Sequence, residues 1–158
     1  MTLSCGGAAT IELNIPMRAE YVSIARLTAA GVANRLDLDI DAIEDIKVSL
    51  SEVCNRIINI QNKYSRGYEA ECRIEFVLSG ICLTINVFVD DAAVSEHFMP
   101  EGAPAGGPGI DLESLIDERH EEEFYKDHLQ LTIIGLLMDE FLDNPAEGCI
   151  VSMKKCVE

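Results

Sequence analysis

A long helical pattern between Asp41 and about Asn62 constrains this chain more than any other feature. Ile43, Ile46, Leu50, Val53, Ile57 and Ile60 step by three and four residues, and Val48, Cys54 and Ile58 widen the stripe. A helix with so broad an apolar face must be packed on other layers of structure. Asp39 or Asp41, in the preceding LDLDID, is placed to cap it, since an acidic side chain satisfies free N–H groups at a helix start. A second, amphipathic helix is expected over Ala19 to Leu36, where Tyr21, Ile24, Leu27, Thr28, Gly31 and Val32 recur at helical spacing. Thr10 to Pro16 alternates, with Ile11, Leu13 and Ile15 on one face, and reads as a half-buried strand that Pro16 ends or leaves on an edge. Glu69 to Ser79 and Ile81 to Asp90 read as two strands joined by a Ser79-Gly80 hairpin turn. The second of these is nearly continuously apolar, as a central strand is.

Asp90 to about Ile110 contains PEGAPAGGPG and little periodicity, so a mobile loop is expected, within a flexible lid at about residues 90–120. Asp111 to Arg119 is a short helix candidate. Phe124, His128, Leu131, Ile134, Leu137, Met138 and Phe141 form a helical stripe that Asn144-Pro145 ends, and Glu147-Gly148 turns the chain into a last strand, Cys149 to Cys156. Strands and helices are segregated rather than alternating. The fold class expected is therefore α+β, a two-layer sandwich of a mostly antiparallel sheet covered by helices on one face. Residues 1–9 are expected to be disordered and 10–158 to form one domain, in keeping with a chain of 158 residues.

The charge balance limits the partners. The chain has 12 Lys+Arg against 28 Asp+Glu, a formal net charge of -16. Nucleic acid and anionic membrane surfaces attract Lys and Arg, so neither is an expected partner, whereas a basic protein surface is the electrostatic match. MTLSCGG shows no basic region followed by an apolar run, and LTIIGLLM is the longest apolar stretch, so a soluble, cytoplasmic protein is expected. Cys5, Cys54, Cys72, Cys82, Cys149 and Cys156 include no CxxC pair, and most lie in apolar periodic segments. The expectation is reduced, buried thiols and no zinc site. His97 and His120 are too isolated to suggest a metal.

At the long helix the sequence reaches a family. EYVSIARLTAAGVANRLDLDIDAIEDIKVSLSEVCNR resembles the anti-sigma-factor serine kinases, the RsbW-like branch of the GHKL (histidine-kinase-type) ATPases. The matching order of elements extends this over roughly Ile11 to Met153, and SEVCNR and LMDEF are its most specific pieces. The resemblance implies a GHKL sandwich holding ATP between helices and a lid, a sigma factor as partner, and phosphorylation of a serine on an anti-anti-sigma protein. It also implies a homodimer.

The family's nucleotide site rests on three motifs, and this chain departs from each. In Glu-x-x-x-Asn, the Glu is the general base and the Asn holds magnesium. Glu52 matches the Glu, but Arg56 stands at the Asn position, with Asn55 one residue before and Asn59 three after. Arginine has no lone pair to give a cation. It either contacts a phosphate directly or pairs with Glu52 one turn earlier. For Asp-x-Gly, which reads adenine, VFVDDAAV offers Asp90 and Asp91 without a glycine. For the Gly-x-Gly at the last helix, the aligned stretch is Asp127, His128, Leu129 and Gln130. Without those glycines the backbone loses its close approach to phosphate, and Asp127 would repel it.

Two functions follow. The first is an anti-sigma-like regulator that works by contact, with a decayed nucleotide site and no cofactor. The alternative is an active serine kinase using ATP and magnesium, with Glu52 as base. A binding module for another small ligand is a third. Glu52 is thus a relic base or a carboxylate neutralised by Arg56. Arg26, in SIARLT, matches a family arginine on the partner-binding surface, and is otherwise part of a solvated helix face. His120 to Glu123 is a solvated helix start or an acidic docking patch. No G-x-S-x-G, P-loop or HExxH points to another enzyme class.

Overall fold

A computed structural model of the chain describes residues 9–65, 70–99, 122–146 and 148–157, with side chains in the last helix from Leu129 onward. Five strands form one antiparallel sheet: β1 (Ala9–Pro16), β2 (Glu71–Ser79), β3 (Cys82–Val89), β4 (Glu140–Ala146) and β5 (Cys149–Cys156), in the order β1-β2-β3-β5-β4. The helices are α1 (Val22–Ala33), α2 (Ile40–Tyr64), α3 (Ala92–His97) and α4 (Glu122–Leu137), with 3-10 turns at Ala19–Tyr21 and Asn34–Leu36 flanking α1. This is the α+β sandwich that the segregated pattern predicts, with helices packed on one side.

Side-chain alternation fixes the register. One row crosses all five strands: Ile11 pairs with Phe76, Phe76 with Ile85, Ile85 with Met153, and Met153 with Phe141. Phe76, Ile85 and Met153 in the middle are fully buried, while Ile11 at the β1 edge is 41% exposed. The nearly continuous apolar run becomes β3 at the centre of the sheet, and Pro16 sits on the edge strand, where its missing N–H costs no ladder bond. Gly80 takes φ +59° in the β2–β3 turn, as that position in a tight hairpin requires. The opposite face, which no described helix covers, carries Arg73, which lies over the Phe88 ring at 4.1 Å and pairs with Glu12 and Glu75.

Asp39 is the residue that caps α2, its carboxylate accepting from the Ala42 N–H at 2.8 Å. Ile46, Leu50, Val53, Cys54, Ile57 and Ile60 are buried as the stripe predicts, but Val48 is exposed.

Four expectations are corrected. In α1 the buried face is Val22, Ala25, Ala29, Val32 and Ala33; Ile24 and Leu27 instead face solvent, with Leu27 71% exposed. Small alanines let α1 approach α2 closely, and the larger residues fall on the outside. The segment after Asp90 is not loop from its start, because Asp91 caps α3 and Phe98 is fully buried behind it. Phe141 does not continue α4. The helix ends at Leu137, the Asp139 N–H donates to the Lys154 carbonyl at 2.9 Å, and Phe141 enters the sheet as part of β4. Asn144-Pro145 therefore ends no helix: Asn144 has φ +44° in an irregularity of that edge strand. The fourth concerns the cysteines. Cys54, Cys72 and Cys149 are free and buried, but Cys82 and Cys156, paired across β3 and β5, form a disulfide.

Cys5 and most of the N-terminal segment, the helix candidate at Asp111 to Arg119, most of the expected lid, and the side chains of His120 to Glu123, Asp127 and His128 lie outside the described residues. Ala9, expected at the end of a disordered terminus, is paired with Leu78 in β1.

Candidate functional site

The site is organised by α2, whose two faces are used differently. Glu52, Asn55, Asn59, Asn62 and Lys63 fall at spacings of three and four and so share one side of the helix. Together with Ala19 and Ile58, and with Leu129, Gln130 and Ile133 of α4, they line a cleft of about 1040 Å³. Asn55 and Asn59 are exposed, Glu52 is half-buried, and none of the three has a side-chain hydrogen bond or ion pair among the described residues.

Arg56 points elsewhere. It is 2% exposed. Its Nε donates to the Phe98 carbonyl and its Nη2 to the His97 carbonyl at 3.1 Å, and its guanidinium lies 5.5 Å from the centre of the Phe98 ring. No ion pair joins it to Glu52 among the described residues, so Glu52 is not neutralised by Arg56 and the pairing expected from the one-turn spacing is not made. A buried guanidinium is tolerable only when its donors find partners, and two backbone carbonyls here accept from two of them.

Two further contacts tie the same segment to the end of α2. The His97 ring stacks on Tyr64 with centroids 3.8 Å apart. Asp91 accepts from the Ser65 hydroxyl at 2.7 Å and from the Ala93 N–H at 2.9 Å. Both Asp91 oxygens are thereby used. Asp90 is exposed, and neither Asp90 nor Asp91 lines the cleft. Glu52, Asn55 and Asn59 are thus brought together, while Arg56, Asp90 and Asp91 are separate from them. The contribution of His97 and Phe98 was not legible in the sequence. It comes from two backbone carbonyls and a ring that only the C-terminal end of α3 brings under Arg56.

These residues do not fit a magnesium-bridged triphosphate at the Arg56 position. The guanidinium offers no lone pair to a cation, and its donors already serve His97 and Phe98. Among the described residues no cluster of His, Cys, Asp and Glu could hold a metal ion.

Arg26 stands on the exposed face of α1 next to Leu27 and near Ile24, with no ion pair or side-chain hydrogen bond among the described residues. No described helix is long and apolar enough to cross a membrane.

Known proteins close the question of family. The chain is 36% identical over 148 residues to a serine-protein kinase RsbW from Bacillus mycoides (strain KBAB4), covering 94% of this chain and 85% of the relative. It is 34% identical over the same coverage to a serine-protein kinase RsbW from Bacillus cereus (strain AH820) and to one from Bacillus anthracis. This chain belongs to the RsbW family of serine-protein kinases. No family model matches the chain. Arg56 and the rest of α2 lie inside a chain whose relatives align along 94% of it.

Proposed function

We propose that this RsbW family member is an anti-sigma-type regulator that works by contact, binding a sigma factor or an anti-anti-sigma protein without using a nucleotide. One observation carries the reading. The position where the family resemblance puts a magnesium-holding Asn is taken by Arg56, whose buried side chain is bound to the chain's own carbonyls. Asp91, another of the candidates for nucleotide contact, is occupied in capping α3 and in holding Ser65. Nucleotide binding would need both sets of contacts to be broken.

The contact surface in this reading is the outer face of α1. Arg26 lies there beside Leu27, which is 71% exposed, and Ile24. An arginine flanked by exposed aliphatic side chains is the composition of an interface anchor. The net charge of -16 favours a partner with a basic contact surface. Assembly as a homodimer belongs to the same proposal.

A second reading, an active serine kinase, has its own support. The relatives are named serine-protein kinases, and Glu52 reaches the cleft with no partner on its carboxylate among the described residues. There Glu52 would accept the serine proton, with Asn55 and Asn59 orienting the substrate.

Mixing the purified protein with a sigma factor and, separately, an anti-anti-sigma protein separates the two. The contact reading expects complexes whose affinity is the same with and without ATP and magnesium, no phosphoserine by mass spectrometry, and a loss of at least tenfold in affinity for Arg26→Ala. Phosphoserine on the anti-anti-sigma protein that disappears with Glu52→Gln would establish the kinase instead.

A further inference from the structure

We infer that Cys82 and Cys156 are a reversible thiol–disulfide couple that sets how firmly the end of β5 holds the helical layer. The pair lies at the first residue of β3 and the last residue of β5. Leu83, Ile85, Val87 and Val89 face the helices, so Cys82 is on the opposite face of the sheet, which no described helix covers. Both sulfur-bearing residues are half-buried there rather than enclosed, within reach of a reagent from solvent. The remaining described cysteines differ. Cys54, Cys72 and Cys149 are in the core, and burial pushes their thiols up, Cys54 to about 12, so none supplies a thiolate for exchange near neutral pH.

The residue next to the disulfide links it to the helices. Lys155 points to the other face of the sheet, where its Nζ donates to the Leu137 carbonyl at 2.6 Å and pairs with Asp45 of α2 at 3.3 Å. Leu137 is the last residue of α4, so Lys155 caps that helix where its free carbonyls and dipole favour a cation. The Cys156 N–H donates to Asp139 at 2.7 Å, the residue that follows α4 into the sheet. Val157 N–H adds one more bond, to the Ile81 carbonyl at 2.9 Å. The strand end fixed by the disulfide is therefore the one that closes α4 and holds α2. Opening the disulfide releases a covalent tie spanning 74 residues of sequence and leaves that strand end held by non-covalent contacts, the Lys155–Asp45 ion pair and these hydrogen bonds among them.

The exchange is balanced by a low-molecular-mass disulfide such as oxidised glutathione. One cysteine thiolate attacks it, forming a mixed disulfide and releasing one glutathione thiolate. The second cysteine then displaces the other glutathione, so two protein thiols are oxidised and one glutathione disulfide is reduced to two thiols. An excess of reduced glutathione runs the same steps backward.

The test uses the full chain in glutathione buffers stepped from reducing to oxidising, quenched by alkylation and mapped by mass spectrometry. Cys82 and Cys156 are expected to oxidise together, as one linked pair, and to reopen while the protein stays folded. The oxidised form is expected to melt roughly 10 °C higher, the size given by a ring of this length in a domain of this size. The amides of Asp139 and Cys156 should exchange with deuterium at least tenfold more slowly in the oxidised form. Cys82→Ser and Cys156→Ser should each remove the redox dependence of both readouts. The inference is overturned if the two cysteines remain alkylated at every glutathione ratio, if the bond opens only on unfolding, or if exchange at Asp139 and Cys156 is the same in both forms.

Discussion

Asn55 and Arg56 are neighbours in sequence and about 100° apart on α2, and their surroundings have nothing in common. Asn55 is exposed on a cleft and bonded to nothing described; Arg56 is buried and bonded to the carbonyls of His97 and Phe98. The comparison separates two things that the family resemblance groups together. The side of α2 that carries Glu52, Asn55 and Asn59 keeps its polar groups available, while the side that carries position 56 is now part of the packing of α3. A shared motif position does not imply a shared chemical role once its side chain has acquired internal partners.

The largest effect expected from breaking this comparison is at Arg56. Arg56→Ala leaves two inward carbonyls unmet and should cost about 3 kcal/mol in urea unfolding. Arg56→Asn, which places there the residue that the family resemblance implies, should cost a similar amount, since a shorter side chain cannot reach both carbonyls. A stability unchanged by either substitution would mean that the bonds to His97 and Phe98 are not formed.

Cys54 extends the buried side of the comparison two residues upstream. Its thiol is pushed up to about 12 by burial, so the folded state favours the neutral form. Its contribution is present in full below the pKa of an unfolded thiol, about 8.5, and is lost as pH rises from there toward the folded value. Stability should fall by about 2 kcal/mol by pH ~10 from this group, and Cys54→Ala should remove one proton's worth of that slope in unfolding measured against pH.

Asp91→Ala removes the cap of α3 and the bond from Ser65, for about 1 kcal/mol. It sharpens the comparison by loosening α3 while leaving Arg56 in place. The smallest effects belong to the cleft side. Glu52→Gln and Asn55→Ala should each change stability by less than about 0.5 kcal/mol, as expected for side chains with no described partner. A loss of about 2 kcal/mol or more at either would show that the cleft side is tied into the fold no less firmly than the Arg56 side.

Much of this architecture is readable from residue patterns. The stripe from Ile43 to Ile60 marks α2, Asp39 its cap, and Cys149 to Cys156 the bounds of β5 to the residue. What the patterns miss depends on long-range contacts. Phe141 keeps helical spacing with Ile134, Leu137 and Met138, and only the bond from Asp139 to Lys154 shows that the chain has entered the sheet. Leu27 keeps the period of a buried stripe, yet Ala25 and Ala29 take the inside of α1 because small residues permit close approach to α2. At the site, spacing alone groups Glu52, Asn55 and Asn59 correctly. It also groups Arg56 with them, because α2 by itself does not reveal what lies under its inner side. Cys82 and Cys156 are 74 residues apart, and only the β3–β5 register makes them partners.

The most direct test is thermal melting of the unmodified protein with millimolar ATP or ADP, each with and without magnesium. If Arg56 and α3 occupy the nucleotide position, no combination shifts the melting temperature in a saturable way. At a hundredfold excess over Kd a bound nucleotide would add about 2.7 kcal/mol, a shift of several degrees. A saturable, magnesium-dependent shift of that size would contradict the filled site and establish that this RsbW family member still binds ATP.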